Sequence, residues 1–108
     1  MISIQPIPSI GQQIRQLREE RGLPLRKVAA ALDIDQSILS KIERGERRAT
    51  KEQILLIARI FGADEKELLV NYLSDQVLYQ IGDEDLVLEA LKVAEEKVLY
   101  RKNTENGR

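Results

Sequence analysis

Apolar side chains recur along this chain every three or four residues, and nowhere alternate with polar ones long enough to line one face of a strand. The pattern predicts helices, and local start and stop signals divide them. Ser9 followed by Gln12 has the spacing of a capping box and opens a helix with Ile10, Ile14 and Leu17 on one face, closed by Gly22. A short second helix is expected over Leu25 to Leu32, with Pro24 beside its first turn, where a missing N–H costs little. Asp33-Ile34-Asp35 reads as a tight turn, with Asp35 capping a third helix from Gln36 to Arg44 and Gly45 ending it. Thr50 with Gln53 forms another capping box before a helix whose apolar face is Ile54, Ile57, Ala58 and Phe61, closed by Gly62. Asp64 with Glu67 starts a fifth helix carrying Leu68, Leu69, Tyr72 and Leu73, and an extension to Ile81, kinked near Ser74, is compatible with the pattern. After Gly82, Asp83 is expected to cap a last long helix over Glu84 to Lys102, leaving residues 103–108 as a disordered tail. The expected fold class is all-α.

Composition narrows the chemistry. With 108 residues there is room for one compact domain and an extension. Aromatic residues make up only 4%, so the core must be built from Leu, Ile, Val and Ala, which suits packed helices better than a β-sandwich. The absence of Cys and His removes thiolate nucleophiles, disulfides, Cys/His zinc sites and any Ser–His relay. No paired-carboxylate motif stands out, so neither an enzyme nor a metal nor a cofactor is expected. Met1 to Ile10 lacks basic residues and carries Pro6 and Pro8, unlike a signal peptide. No apolar run approaches the roughly 20 residues a bilayer needs, and a cytoplasmic location is expected.

The net charge of −1 conceals a division. Eleven Lys/Arg face seven Asp/Glu up to Gly62, whereas six face eleven after it. A basic half joined to an acidic half suggests that only the first meets an anionic partner, the plain alternative being chance variation of surface charge.

The most informative stretch runs from Gly22 to Gly45, GLPLRKVAAALDIDQSILSKIERG. Val28, Ala29 and Leu32 share one face of its first helix, Ile34 lies in the turn, and Leu39 and Ile42 line the inner face of its second. Two short helices sharing so few core residues must cross steeply, and Ala29 is small enough to permit it. Such a crossing leaves the start of the second helix proud of the surface, ready for a groove about 12 Å wide.

Residues 10–70 resemble the Cro/repressor (Xre) family of helix-turn-helix proteins. The resemblance is carried by Ile14 and Leu17 before Gly22, by Val28-Ala29, by Ile34, and above all by Ser40-Lys41-Ile42-Glu43-Arg44-Gly45 followed by Arg47-Arg48. It implies a five-helix, lambda-repressor-like DNA-binding domain over 9–71, an N-terminal arm over 1–8, and a helical extension over 72–102. Two positions depart from the family pattern. Pro24-Leu25 stands where Ser or Thr then Gln is usual, so a cap and a phosphate contact are lost together, and Arg26 or Lys27 becomes the candidate for that contact. Asp33 replaces the usual turn glycine, but Asp tolerates a left-handed backbone better than most residues.

The resemblance assigns base reading to Gln36, Ser37, Ser40 and Lys41. Gln can bond bidentately to adenine, Ser to several bases and Lys to guanine. For Gln36 and Ser37 the plain alternative is helix capping. With Leu39 in the core, Ile38 is expected to point outward and meet a thymine methyl, the alternative being burial against a neighbouring helix. Arg44, Arg47, Arg48 and Lys51 surround the following loop and are candidates to hold phosphates, helped by N–H groups at the Thr50 helix start; an ordinary solvated loop is the alternative. Relatives also pair an Arg of the first helix with the Glu near the end of the recognition helix, which implies a structural ion pair of Arg18 with Glu43.

Beyond that domain, Val87, Leu91, Ala94 and Val98 recur at spacings of four, three and four, with Leu88 and Leu99 alongside. Such a stripe must bury itself, either on its own domain or on a second copy. The second copy is favoured, because symmetric readers place two recognition helices about 34 Å apart. Tyr72 and Tyr79 fit either interface. The leading expectation is thus a homodimeric repressor or controller of a palindromic operator on double-stranded DNA. One alternative is the antitoxin of a toxin–antitoxin pair, whose C-terminal helices hold a protein partner. The other is a protein-interaction module that does not read DNA.

Overall fold

A computed structural model describes residues 6–106, which form six helices and no strand. In chain order these are α1 (Ile10–Glu20), α2 (Leu25–Ala31), α3 (Gln36–Glu43), α4 (Lys51–Phe61), α5 (Glu65–Ile81) and α6 (Val87–Asn106). Residues 1–5 of the expected arm, and 107 and 108 of the expected tail, lie outside the described residues. No helix among the described residues is long and apolar enough to cross a membrane.

Local chemistry sets most of the boundaries. Ser9 Oγ accepts from the Gln12 N–H at 3.2 Å while Gln12 Oε1 accepts from the Ser9 N–H at 3.0 Å, closing the first capping box. Thr50 and Gln53 close the second in the same way, at 3.1 and 2.8 Å. Asp64 Oδ1 accepts from the Glu67 N–H at 3.2 Å and starts α5. Asp33 sits at φ +57°, so the turn between α2 and α3 keeps its left-handed residue without glycine.

Several expectations need correction. Asp35 occupies the N-cap of α3, but its side chain accepts no hydrogen bond from the helix. α2 and α3 each end one residue early, with Leu32 and Arg44 as caps. α5 is continuous through Ser74, whose hydroxyl donates back to the Asn71 carbonyl at 2.8 Å and so stays satisfied inside the helix. α6 starts at Val87, not Glu84, because residues 82–86 are held in turns by bonds such as Glu84 N–H to Ile81 O. Asp83 therefore caps nothing there. At its other end α6 runs past Lys102 to Asn106, so described residues 103–106 are helical, where a disordered tail was expected.

The chain divides into two compact units, the first reaching Gln76 and the second comprising Val77–Arg108. In the first, α3 packs on both α1 and α2, and α1 also packs on α4. Ile14, Val28, Leu39, Ile54, Ile57 and Leu68 are fully buried between them. Tyr72 joins this core. Asp75 adds a tie that spans 65 residues of chain, accepting from the Ile10 N–H at 2.8 Å at the start of α1. Asn71 Nδ2 donates to the Pro8 carbonyl at 3.1 Å and to Gln13 Oε1 at 2.8 Å. These contacts carry the first unit past Asn71.

In the second unit the apolar stripe is uncovered. Val87 is half-buried, but every described side chain from Leu88 onward is exposed, Leu88 by 68% and Leu99 by 54%. Tyr79 is exposed as well.

Gly11 fixes how closely α1 approaches α3. It is buried, and a Cβ there would lie 2.3 Å from the Ile42 carbonyl oxygen and 2.8 Å from that of Glu43. Both obstacles are backbone, which cannot swing aside as a side chain can. Alanine normally gains about 1 kcal/mol over glycine within a helix. Here we expect Gly11→Ala to lose about 1–3 kcal/mol net, through overpacking. Urea denaturation checks this, and a variant as stable as the parent would mean that the two backbones do not touch.

Candidate nucleic-acid interface

The outward face of α3 follows from helical geometry. At about 100° per residue, Gln36, Ser37, Ser40, Lys41 and Arg44 share one side, while Leu39, Ile42 and Glu43 share the other. Leu39, Ile42 and Glu43 are buried accordingly, and Gln36, Ser37 and Lys41 are exposed. Gln36 and Ser37 occupy the first two helical positions, where side chains project beyond the helix end. Neither accepts a capping bond in the hydrogen-bond pattern of this helix start.

Ile38 is corrected. It falls beyond Lys41 on the side of Ile42, is half-buried and packs against the core cluster. Ala30, Ile34 and Ile38 together line a shallow hollow between α2 and α3, edged by Asp33 and Asp35. Part of this side chain is therefore taken up by the core, and the remainder edges the exposed face of α3.

The buried end of α3 is held ionically. Glu43, 7% exposed, receives Arg18 Nε at 2.7 Å on one carboxylate oxygen and Nη2 at 3.0 Å on the other. Arg18 Nη1 donates to the Leu23 carbonyl at 3.1 Å, so one guanidinium ties α1 to α3 and to the loop before α2. The hydrogen bond that Arg18 donates to Glu43 raises the Arg18 pKa above its ordinary value, against the opposing effect of burial. The expected pair is present, and it is bidentate.

Around this helix the candidate phosphate ligands are all exposed: Arg26 and Lys27 in the first turn of α2, and Arg44, Arg47, Arg48 and Lys51 beyond α3. Buried Ala49 pins their loop to the core. Two details alter the expectation. The Thr50 capping box consumes the N–H groups of Thr50 and Gln53, so a phosphate at the start of α4 falls to those of Lys51 and Glu52. Arg44 is also engaged within the chain, since its Nη1 donates to Ser40 Oγ at 2.8 Å and its Nε to Glu46. That arginine holds the Glu46 carboxyl below the usual carboxylate range, chiefly through the hydrogen bond. Arg44 and Ser40 would exchange these partners on contact with DNA, whereas Lys41 and Lys51 are in none of the ion pairs.

Sequence reasoning passed over Gly11, Glu46, Asp75 and Arg21. The Arg21 Nε donates to the Phe61 carbonyl at 2.7 Å with its guanidinium 5.5 Å over the Phe61 ring, joining the ends of α1 and α4. Gly11 carried a signal, as a glycine inside an amphipathic helix is unfavourable unless something must come close. Glu46 carried one too, as the lone acid among Arg44, Arg47 and Arg48.

Comparison with known proteins agrees with this geometry. The family model of the helix-turn-helix domain matches residues 9–69. The chain is 36% identical over 67 residues to the HTH-type transcriptional regulator DdrOP3 of Deinococcus deserti, across 60% of this chain and 52% of that protein. It thus spans about half the length of that relative. It is 33% identical over 60 residues to the control protein C.BamHI of Bacillus amyloliquefaciens, across 55% of this chain and 74% of that one. Among solved structures, the clp gene regulator ClgR of Corynebacterium glutamicum is similar, with a TM-score of 0.54 at 25% identity, over 66% of this chain and 95% of that chain.

Breaking the ion pair should be costly. Arg18→Ala or Glu43→Ala leaves one charge buried without its partner, and each should lose about 3–5 kcal/mol in chemical denaturation. The double variant should lose less than the two single losses added together. Single variants that melt like the parent would show that the pair does not hold α3.

Proposed function

The chain belongs to the Cro/repressor (Xre) family of helix-turn-helix proteins, DNA-binding regulators of transcription, and on that premise we propose that it is a homodimeric, cytoplasmic repressor or controller of a palindromic operator. The observation that carries this reading is the division of α3: one face is buried and clamped by Arg18, and the other offers Gln36, Ser37 and Lys41 to solvent. Gln36 suits adenine, and Lys41 suits guanine O6 and N7. Ser40 joins them once Arg44 turns to a phosphate. Arg26, Lys27, Arg47, Arg48 and Lys51 supply sequence-independent affinity around the reading face. The uncovered stripe Val87, Leu88, Leu91, Ala94 and Val98 supplies the dimer contact.

The same uncovered stripe favours a second reading, in which α6 holds a different protein, as in an antitoxin. The two readings share the DNA-facing surface and differ in what covers α6.

Selection from random duplex DNA tests the proposal, with wild type run beside a Ser37→Ala/Lys41→Ala double variant of matched helicity and melting. The wild type should enrich an inverted repeat with half-sites about one duplex turn apart, and the variant should lose it. On the selected site, Lys51→Ala should weaken binding similarly for all sequences and flatten the salt dependence by about one unit of slope. Enrichment of no sequence by the wild type would refute base reading. A selected site without a repeat would refute the symmetric dimer alone.

A further inference from the structure

The uncovered stripe of α6 lies in a helix whose charges are distributed unevenly. Residues 87–96 contain three acids and one base, and residues 97–106 contain three bases and one acid. The helix dipole favours such an order, but only within the first and last turns. Glu95, Glu96 and Lys97 lie in mid-helix, so the dipole does not account for them. Immediately before the helix, Asp83, Glu84 and Asp85 form an acidic turn, all three exposed.

The apolar stripe alone suggests how the helix would meet a copy of itself. It begins at Val87 and stops at Val98, and the next positions on the same side are Arg101 and Lys102. Burying all of it against an identical stripe in antiparallel sense sets Val87 beside the other copy's Val98, and Leu91 beside the other copy's Ala94. That register was chosen from the apolar residues alone. It nevertheless brings Arg101 and Lys102, one turn beyond Val98, to the end at which the other copy's acidic turn precedes Val87. Glu89 and Glu96, which would then share a level, lie on the far side of the helix from the stripe. A parallel pair would instead stack acid on acid and base on base at every level.

We propose that two copies of this chain pair their α6 helices antiparallel about a two-fold axis between Lys92 and Val93, with Arg101 and Lys102 set against the partner copy's acidic turn. This rests on the dimer reading above and specifies its geometry. The charges fix direction and register, and the apolar stripe supplies the attraction.

The absence of cysteine makes disulfide mapping direct. Full-length Val87→Cys and Val98→Cys proteins, distinguished by mass, are mixed without DNA and oxidised. The antiparallel pair should give the mixed 87–98 disulfide well above either self-disulfide, because like positions are about 17 Å apart along the axis. Self-disulfides at both positions would mean a parallel pair and overturn the proposal. So would a monomer in sedimentation, the result expected if a different protein covers α6. Charge reversal provides the second arm. Arg101→Glu/Lys102→Glu should weaken dimerisation about tenfold or more, and adding Asp83→Lys/Glu84→Lys to the same chain should restore it. No restoration would overturn the register. Failure here with an enriched operator in the selection above refutes this pairing and leaves DNA reading intact.

Discussion

A carboxylate with almost no access to water, at the end of α3, is tolerable only if its charge is met where it lies. Arg18 meets that of Glu43 with two nitrogens on two oxygens, and spends a third nitrogen on the Leu23 carbonyl. A planar fork of this kind is directional in a way that apolar contact is not. The distinction matters because α3 has eight residues and buries only Leu39 and Ile42 of its apolar side chains completely. Two such side chains, each contributing about 1.5–3 kcal/mol on burial, can hold a helix to a core but leave its rotation loosely defined. The guanidinium removes that freedom from one end, and Gly11 removes it again by letting the last carbonyls of α3 rest on the backbone of α1.

The clamp also determines what the outer face presents. Glu43 would repel phosphate if it faced out; turned inward and neutralised, it leaves that end of α3 basic. Glu46 is handled differently. It stays at the surface and is covered by Arg44, so that a phosphate would have to compete with Glu46 for Arg44. With both acids answered, the surface around α3 keeps the positive field that the excess of Lys and Arg before Gly62 supplies. In the proposed reading, orientation comes from buried charge and affinity from exposed charge, and the uncharged Gln36 and Ser37 could be exchanged without loosening either.

The parts legible in the sequence were those determined within a few residues. The Ser9 and Thr50 boxes, the Asp64 cap and the left-handed Asp33 each depend on neighbours in the chain, so spacing alone identified them. The core stripes of α1 to α4 were legible for the same reason. Spacing failed where the deciding partner was distant. Nothing near Asp75 indicates that it caps α1, and nothing near Asn71 indicates that it reaches Pro8. Ile38 was misjudged because its neighbour Leu39 is core, which was taken to turn Ile38 outward, although its true neighbour around the helix is Ile42. The start of α6 was misplaced because Asp83 followed by acids looks like a helix start, yet the chain continues in turns until Leu86. Residues 103–106 were read as frayed from polarity alone, although Thr104 can donate back to the Tyr100 carbonyl and the last turn survives.

α5 is the element that connects these threads. Leu68 and Tyr72 lie on one face of it and are buried, while Val70, Leu73 and Val77 lie on the opposite face and are exposed. A helix that is apolar on two sides does not carry the strong single-faced pattern of α1 or α4, which is why spacing grouped Leu73 with Leu68, Leu69 and Tyr72 although it lies on the exposed side. The helix is nonetheless unbroken across Gln76 and Val77. Its first half is fixed within the first unit, because Asn71 and Asp75 tie it to Pro8 and the first turn of α1, and α1 is tied through Arg18 to α3. The residues after Gly62 carry an acidic excess, which repels phosphates rather than attracting them.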